Sequence, residues 1–183
     1  MKITAYLSAL MVCSLFAPNT PAPESVSVKG VHLCCGGCQS IAEDALKDLK
    51  GVSGISCDLN TKVISYKAVD QKTAETGIKA LAAAGFFGTA AFKNKKLEFP
   101  ESGAKKGARA NSISLTNVHL CCTACVTASQ KSLESVKGVT LIDIDRSAKT
   151  IKLTGDAVSI PEAVRALNKA GFYCKLKNVP LQE

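Results

Sequence analysis

The chain has no tryptophan and only three tyrosines, so it offers few flat side chains on which nucleotide bases could stack. A formal charge of +8 and a pI near 9.0 would otherwise invite a nucleic-acid or membrane-surface reading. The lysines, however, are scattered along the whole chain and form no stripe. Neither nucleic acid nor a membrane surface is expected as a partner. Low-complexity tracts are missing, and 46% hydrophobic with 21% charged residues is ordinary for a globular protein. Catalytic patterns are missing too. There is no Ser/His/Asp spacing and no phosphate-cradling glycine loop, and the paired carboxylates Asp143 and Asp145 alternate on the solvent face of an expected strand. An enzyme is not expected. After Ala17 no apolar run approaches the roughly 20 residues that a membrane-spanning helix needs.

Before that point the chain reads differently. Met1-Lys2 precedes an apolar run from Ile3 to Ala17 and a small, proline-containing exit through Pro23. This is the pattern of a secretory signal over 1–23, cleaved near Ala17 or Ala22, with a retained anchor as the alternative. The mature protein is then periplasmic or secreted, in a compartment that permits disulfides.

What the chain has in excess is cysteine, nine in all. Cys13 lies in the leader. Six others form two triads, Cys34-Cys35-Gly36-Gly37-Cys38 and Cys121-Cys122-Thr123-Ala124-Cys125, each preceded by Val-His-Leu. Corresponding cysteines are 87 residues apart. A period of that length marks an internal duplication. A packed core does not require three thiols within five residues, whereas soft-metal ligation or thiol redox chemistry does.

The same pattern of elements surrounds each triad. Val26 and Val28 alternate with polar residues as in a half-buried strand, and Ile41, Ala42, Ala45, Leu46 and Leu49 recur at helical spacing after the thiols. A hairpin is expected around Asn60-Thr61-Lys62, then a helix from Lys72 to Ala84 and a strand from Phe86 to Phe92. In the second copy Ile113 and Leu115 open a strand, Ala128, Leu133 and Val136 mark a helix, and Ile142 and Ile144 face Ile151 and Leu153. Ser159-Ile-Pro-Glu162 has the form of a capping box for the last helix. The fold class is α+β: two tandem βαββαβ, ferredoxin-like sandwiches. The expected domains are 24–93 and 112–180, joined by a flexible basic tether over 94–111.

A helix beginning near Gly37-Cys38 aims backbone N–H groups and the positive end of its dipole at the thiols, which favours the thiolate. Cys35 with Cys38, and Cys122 with Cys125, can converge on one soft ion, or close a disulfide. Cys34 and Cys121 are odd thiols. Adjacent Cα atoms are only about 3.8 Å apart across a trans peptide, too close for the usual disulfide. Each therefore reads as a third ligand or as a small packing residue. His32 and His119 lie within three residues of the thiols and either ligate the ion, tune it, or sit partly exposed at a strand end. Cys174, after Gly171-Phe172-Tyr173, belongs to a loop at the same end of the second unit and is a further candidate ligand or disulfide partner; Cys57 reads as core. Phe86, Phe87, Phe172 and Tyr173 read first as core.

A Cys-x-x-Cys in the first loop of a βαββαβ unit of about 70 residues resembles the heavy-metal-associated domain. That family includes copper chaperones, N-terminal domains of copper-pumping ATPases and periplasmic mercury-binding proteins. The resemblance covers both copies. Its motif cysteines correspond to Cys35 and Cys38 and to Cys122 and Cys125, while Leu33 and Leu120 replace its Met, His32 and His119 its Gly, and Cys34 and Cys121 its Thr or His. The resemblance implies near-linear binding of Cu(I) by the paired thiolates, with Zn(II) or Hg(II) as other candidate ions. It also implies transfer by thiolate exchange with a metal-transporting ATPase or another donor or acceptor protein. On this reading each copy binds one ion. The rival use of the same cysteines is thiol–disulfide exchange or redox sensing.

Overall fold

The computed structural model describes residues 22–177. Most of the expected leader, with Cys13 and the cleavage position at Ala17, and the end of the second expected domain lie outside the described residues.

The first unit runs β1 (Glu24–Lys29), α1 (Gly36–Lys47), β2 (Val52–Asp58), β3 (Val63–Ala68), α2 (Gln71–Ala83), β4 (Thr89–Phe92) and β5 (Lys95–Leu97). The second runs β6 (Arg109–Thr116), α3 (Thr123–Leu133), β7 (Val139–Asp145), β8 (Thr150–Ser159), α4 (Ile160–Lys169) and β9 (Lys175–Leu176). The sheets are antiparallel, ordered β2-β3-β1-β4-β5 and β7-β8-β6-β9. The first strand of each unit is thus central and the hairpin lies to one side, which is the ferredoxin-like arrangement expected from the sequence. Both helices of a unit pack on one sheet face. Val26 and Val28 of β1, Ile64 and Tyr66 of β3, and Ile113 and Leu115 of β6 point into that layer and are buried. In the second hairpin Ile142 pairs with Leu153 and Ile144 with Ile151, the register the alternation predicts.

Helix α2 lies close against β3 because Gly77 has no side chain. A Cβ there would come within 2.5 Å of the Tyr66 ring. The Tyr66 hydroxyl donates to the Ala74 carbonyl at 2.6 Å, so the buried phenol is satisfied.

Three expectations need correction. The segment 94–111 is not a free tether. Lys95–Leu97 adds a fifth strand to the first sheet and buries Leu97. Phe99 packs on Phe87 at 4.8 Å, Leu176 donates its N–H to the Ser102 carbonyl at 2.7 Å, and Arg109 and Ala110 already belong to β6. Apolar residues at Leu97, Phe99, Ala104 and Ala108 give the segment enough to bury. Secondly, Ser159 stands at the N-cap of α4 but its side chain makes no capping hydrogen bond. Strand β8 runs straight into the helix there, and the Ile160 N–H donates to the Ala108 carbonyl. Thirdly, the expected strand from Phe86 begins only at Thr89. Phe86 instead forms an antiparallel bridge with Phe172 of the other unit.

That bridge belongs to a broader contact between units. The Phe87 N–H donates to the Gly171 carbonyl at 3.1 Å, the Tyr173 N–H to the Gly85 carbonyl at 2.9 Å, and the His32 N–H to the Gly171 carbonyl at 3.3 Å. Gly85 and Gly171 both have φ of +87°, a conformation glycine adopts without steric cost. A Cβ on Gly171 would strike the His32 nitrogen, and one on Gly85 the His119 nitrogen. Each helix-ending glycine therefore lets the opposite unit's thiol loop approach.

Candidate metal centre

Each thiol loop is held by its flanking residues. Val31 and Leu33, and Val118 and Leu120, are buried plugs. The Val31 N–H donates to the Lys62 carbonyl and the Val118 N–H to the Lys149 carbonyl, both at 3.2 Å. These lysines occupy the left-handed positions of the two hairpin turns, at φ 58° and 53°. With the plugs fixed, the loop reaches Cys35 or Cys122 in extended geometry, and that residue caps α1 or α3. Cys38 and Cys125 then lie in the first helical turn, as expected, and are fully buried. The other four triad thiols are half-buried.

The two triads meet. Cys34 Sγ lies 3.4 Å from Cys122 Sγ and 3.6 Å from Cys125 Sγ. Cys38 Sγ lies 3.5 Å from Cys121 Sγ and 3.9 Å from Cys125 Sγ, and Cys35 Sγ lies 4.0 Å from Cys122 Sγ. Within each loop the spacings are alike: Cys34 to Cys38 is 3.4 Å, Cys35 to Cys38 is 3.8 Å, Cys121 to Cys125 is 3.6 Å and Cys122 to Cys125 is 3.7 Å. The two loops are not apart: their thiols form a single sulfur cluster between the units.

The histidines complete it. The ligand atoms of Cys38, His119, Cys121 and Cys125 lie within 4.8 Å of one another, as do those of His32, Cys34 and Cys125, and those of Cys34, Cys35 and Cys122. Each of these sets draws on both units. His119 is 2% exposed and stacks on Phe86 at 4.2 Å; His32 stacks on Phe172 at 4.3 Å. Each imidazole thus rests on an aromatic ring of the opposite unit; His32 stays partly exposed, whereas His119 is not the partly exposed strand-end side chain that the sequence allowed. Burial lowers the His119 pKa to about 4, with the His32 ring adding to the effect, and burial and then Lys62 lower that of His32. Both rings are therefore neutral at pH 7, and both Nε2 atoms are buried and, among the described residues, have no hydrogen-bond partner. A buried, neutral, unpartnered imidazole nitrogen beside thiols is costly as plain packing and suited to a metal ligand.

Thiol acidity is divided across the cluster. The Cys125 N–H aimed at its sulfur pulls the Cys122 thiol down to about 6. For Cys38, burial opposes ionisation, but hydrogen bonds from the Cys34 backbone and its neighbours outweigh it and lower the pKa. Burial raises Cys34, Cys121 and Cys125, as expected where one ionised sulfur stands next to another. Cys122 is thus ionised near pH 7, and Cys38 in the other unit is shifted in the same direction, which suits a soft cation.

Cys174 lies elsewhere. It is fully buried in apolar core, which raises its thiol to about 12, and among the described residues it joins none of the ligand sets. Cys57 is half-buried against the core. The sequence named the thiols and the imidazoles but not their meeting. Two signs of it were present: Gly-Phe at 85–86 and 171–172, and a histidine ahead of each triad.

No protein-family model and no curated protein matches the chain. Solved structures are similar to it. An oxidized MerP from Ralstonia metallidurans CH34 is 23% identical over 37% of this chain and 96% of its own, with a TM-score of 0.35. The N-terminal domain of PacS from Synechocystis PCC6803 is 17% identical over 38% of this chain and 100% of its own, with a TM-score of 0.35. The N-terminal soluble domains of Bacillus subtilis CopA are 16% identical over 86% of this chain and 95% of theirs, with a TM-score of 0.33. The sulfur and imidazole geometry makes its own case for a metal.

Proposed function

We propose that this protein is an exported, non-enzymatic binder of a soft metal ion, Cu(I) before Zn(II) or Hg(II), which it sequesters or passes on by thiolate exchange. The observation that carries this reading is the convergence of six thiols, with two unpartnered imidazole nitrogens beside them. Soft thiolate donors select Cu(I) and other soft ions. Sulfurs about 2.3 Å from a metal stand roughly 4.6 Å apart in linear coordination, about 4.0 Å in trigonal and about 3.8 Å in tetrahedral. Contacts of 3.4–4.0 Å across the cluster suit the higher coordination numbers.

A small cavity beside the cluster, lined in part by His32, Cys34, Lys62 and Lys169, gives a way in from solvent. Exchange partners fitting this chemistry are other thiolate-bearing metal carriers, a metal-transporting ATPase among them. Export rests on the leader pattern alone.

The test is metal analysis of reduced, anaerobically purified protein, followed by competition against a Cu(I) chelator with Zn(II) in parallel. Tight Cu(I) uptake that survives Zn(II) is the expected result. Stoichiometric disulfides, with no Cu(I) uptake after reduction, would sink the reading in favour of thiol redox chemistry.

A further inference from the structure

We propose that the two triads form one closed polynuclear Cu(I)–thiolate centre shared between the units, with bridging sulfurs and about four ions per chain. This rests on the soft-metal reading above and goes beyond it. The reason is the way the sulfurs share neighbours. Cys34, Cys38 and Cys125 form a triangle with sides of 3.4, 3.6 and 3.9 Å. Cys34, Cys122 and Cys125 form another, of 3.4, 3.6 and 3.7 Å. Cys38, Cys121 and Cys125 form a third, of 3.5, 3.6 and 3.9 Å.

Each triangle has about the size that three-coordinate Cu(I) requires, and the first shares its Cys34–Cys125 edge with the second and its Cys38–Cys125 edge with the third. An ion in one triangle therefore uses thiolates that also border its neighbour. Two isolated pairs would leave Cys34 and Cys121 outside any site, whereas here both sit at triangle corners. Cys35 joins Cys34 and Cys122 in a fourth set, within 4.8 Å of one another, and six thiolates that bridge two ions on average supply bonds for about four three-coordinate Cu(I). Charge is compatible with this. Loading releases the proton of every thiol still protonated, and six thiolates with four monovalent Cu(I) leave the centre with a net charge of about −2. The side chain of Lys62 donates to the Leu33 carbonyl at 2.5 Å and is close enough to act on His32. Lys149, its counterpart in the other unit, acts on His119. Each unit thus sets one cation beside the anionic centre.

The experiment uses the full reduced chain, titrated anaerobically with Cu(I) delivered from a weak chelator. Native mass spectrometry counts the ions, and X-ray absorption reads Cu–Cu scattering. The expected result is one cooperative step to about four Cu(I) per chain, with a Cu–Cu vector and the emission of solvent-shielded Cu(I) thiolates. The double variant Cys34→Ser/Cys121→Ser, checked for native circular dichroism, should hold about half as many ions and lose the emission. Two ions per chain loading independently, without Cu–Cu scattering and indifferent to the double variant, would overturn the shared centre and leave the soft-metal reading intact. No Cu(I) uptake at all would overturn both.

Discussion

His119 shows how one residue can be a burden without metal and an asset with it. Its ring is buried and stacked on Phe86, yet its Nε2 lacks a partner. An unsatisfied buried polar atom costs about 1–3 kcal/mol. Replacing it by an apolar ring should remove that cost and keep the stack. The variant His119→Phe is therefore expected to raise metal-free stability by about 1 kcal/mol in urea denaturation. The same change should weaken Cu(I) affinity by about tenfold or more, the usual loss when a ligand or its immediate support is removed. Unchanged affinity would make the imidazole a packing residue. The sequence marked this histidine by position alone; its burial depends on a ring from the other half of the chain, which no local pattern specifies.

At the scale of elements, helix starts give a contrast. Asp70 caps α2, accepting a hydrogen bond from the Thr73 N–H at 2.7 Å. Ser159 occupies the same place before α4 and makes no such bond. Asp70→Ala should therefore lower the urea midpoint, while Ser159→Ala should leave it nearly unchanged. Equal losses would mean that the serine caps in solution. The strands and helices were legible because alternation and helical spacing are strong in both copies, and the duplication provided each assignment twice. The strap between units was not. Its strand has three residues, Lys95–Leu97, too few for a period, and its apolar residues are spread among lysines that suggest solvent. Its order comes from contacts with residues far along the chain, such as that between Phe99 and Phe87.

At the scale of the whole molecule, the thiol cluster exists only because the units dock, and docking depends on Gly85 and Gly171. Either glycine given a Cβ would run into the backbone of the opposite thiol loop. Gly171→Ala would also carry the strain of a side chain at φ +87°, so a control is needed. Gly103 provides it, with φ +88° and nothing nearer to an added Cβ than Leu176 at 3.8 Å. Both variants pay for the left-handed backbone, but only Gly171→Ala should separate the units. It is expected to raise the radius of gyration in X-ray scattering and to cut Cu(I) capacity to about half, since each loop would then act alone. Gly103→Ala should lose a little stability and keep both compactness and full loading. Should the two variants behave alike, the glycine serves its own helix end and not the interface. A loop that binds alone would leave its sulfurs more open to exchange than the docked pair does, in which Cys38 and Cys125 are fully buried. The balance between passing an ion on and storing it is then set by how tightly the two units dock.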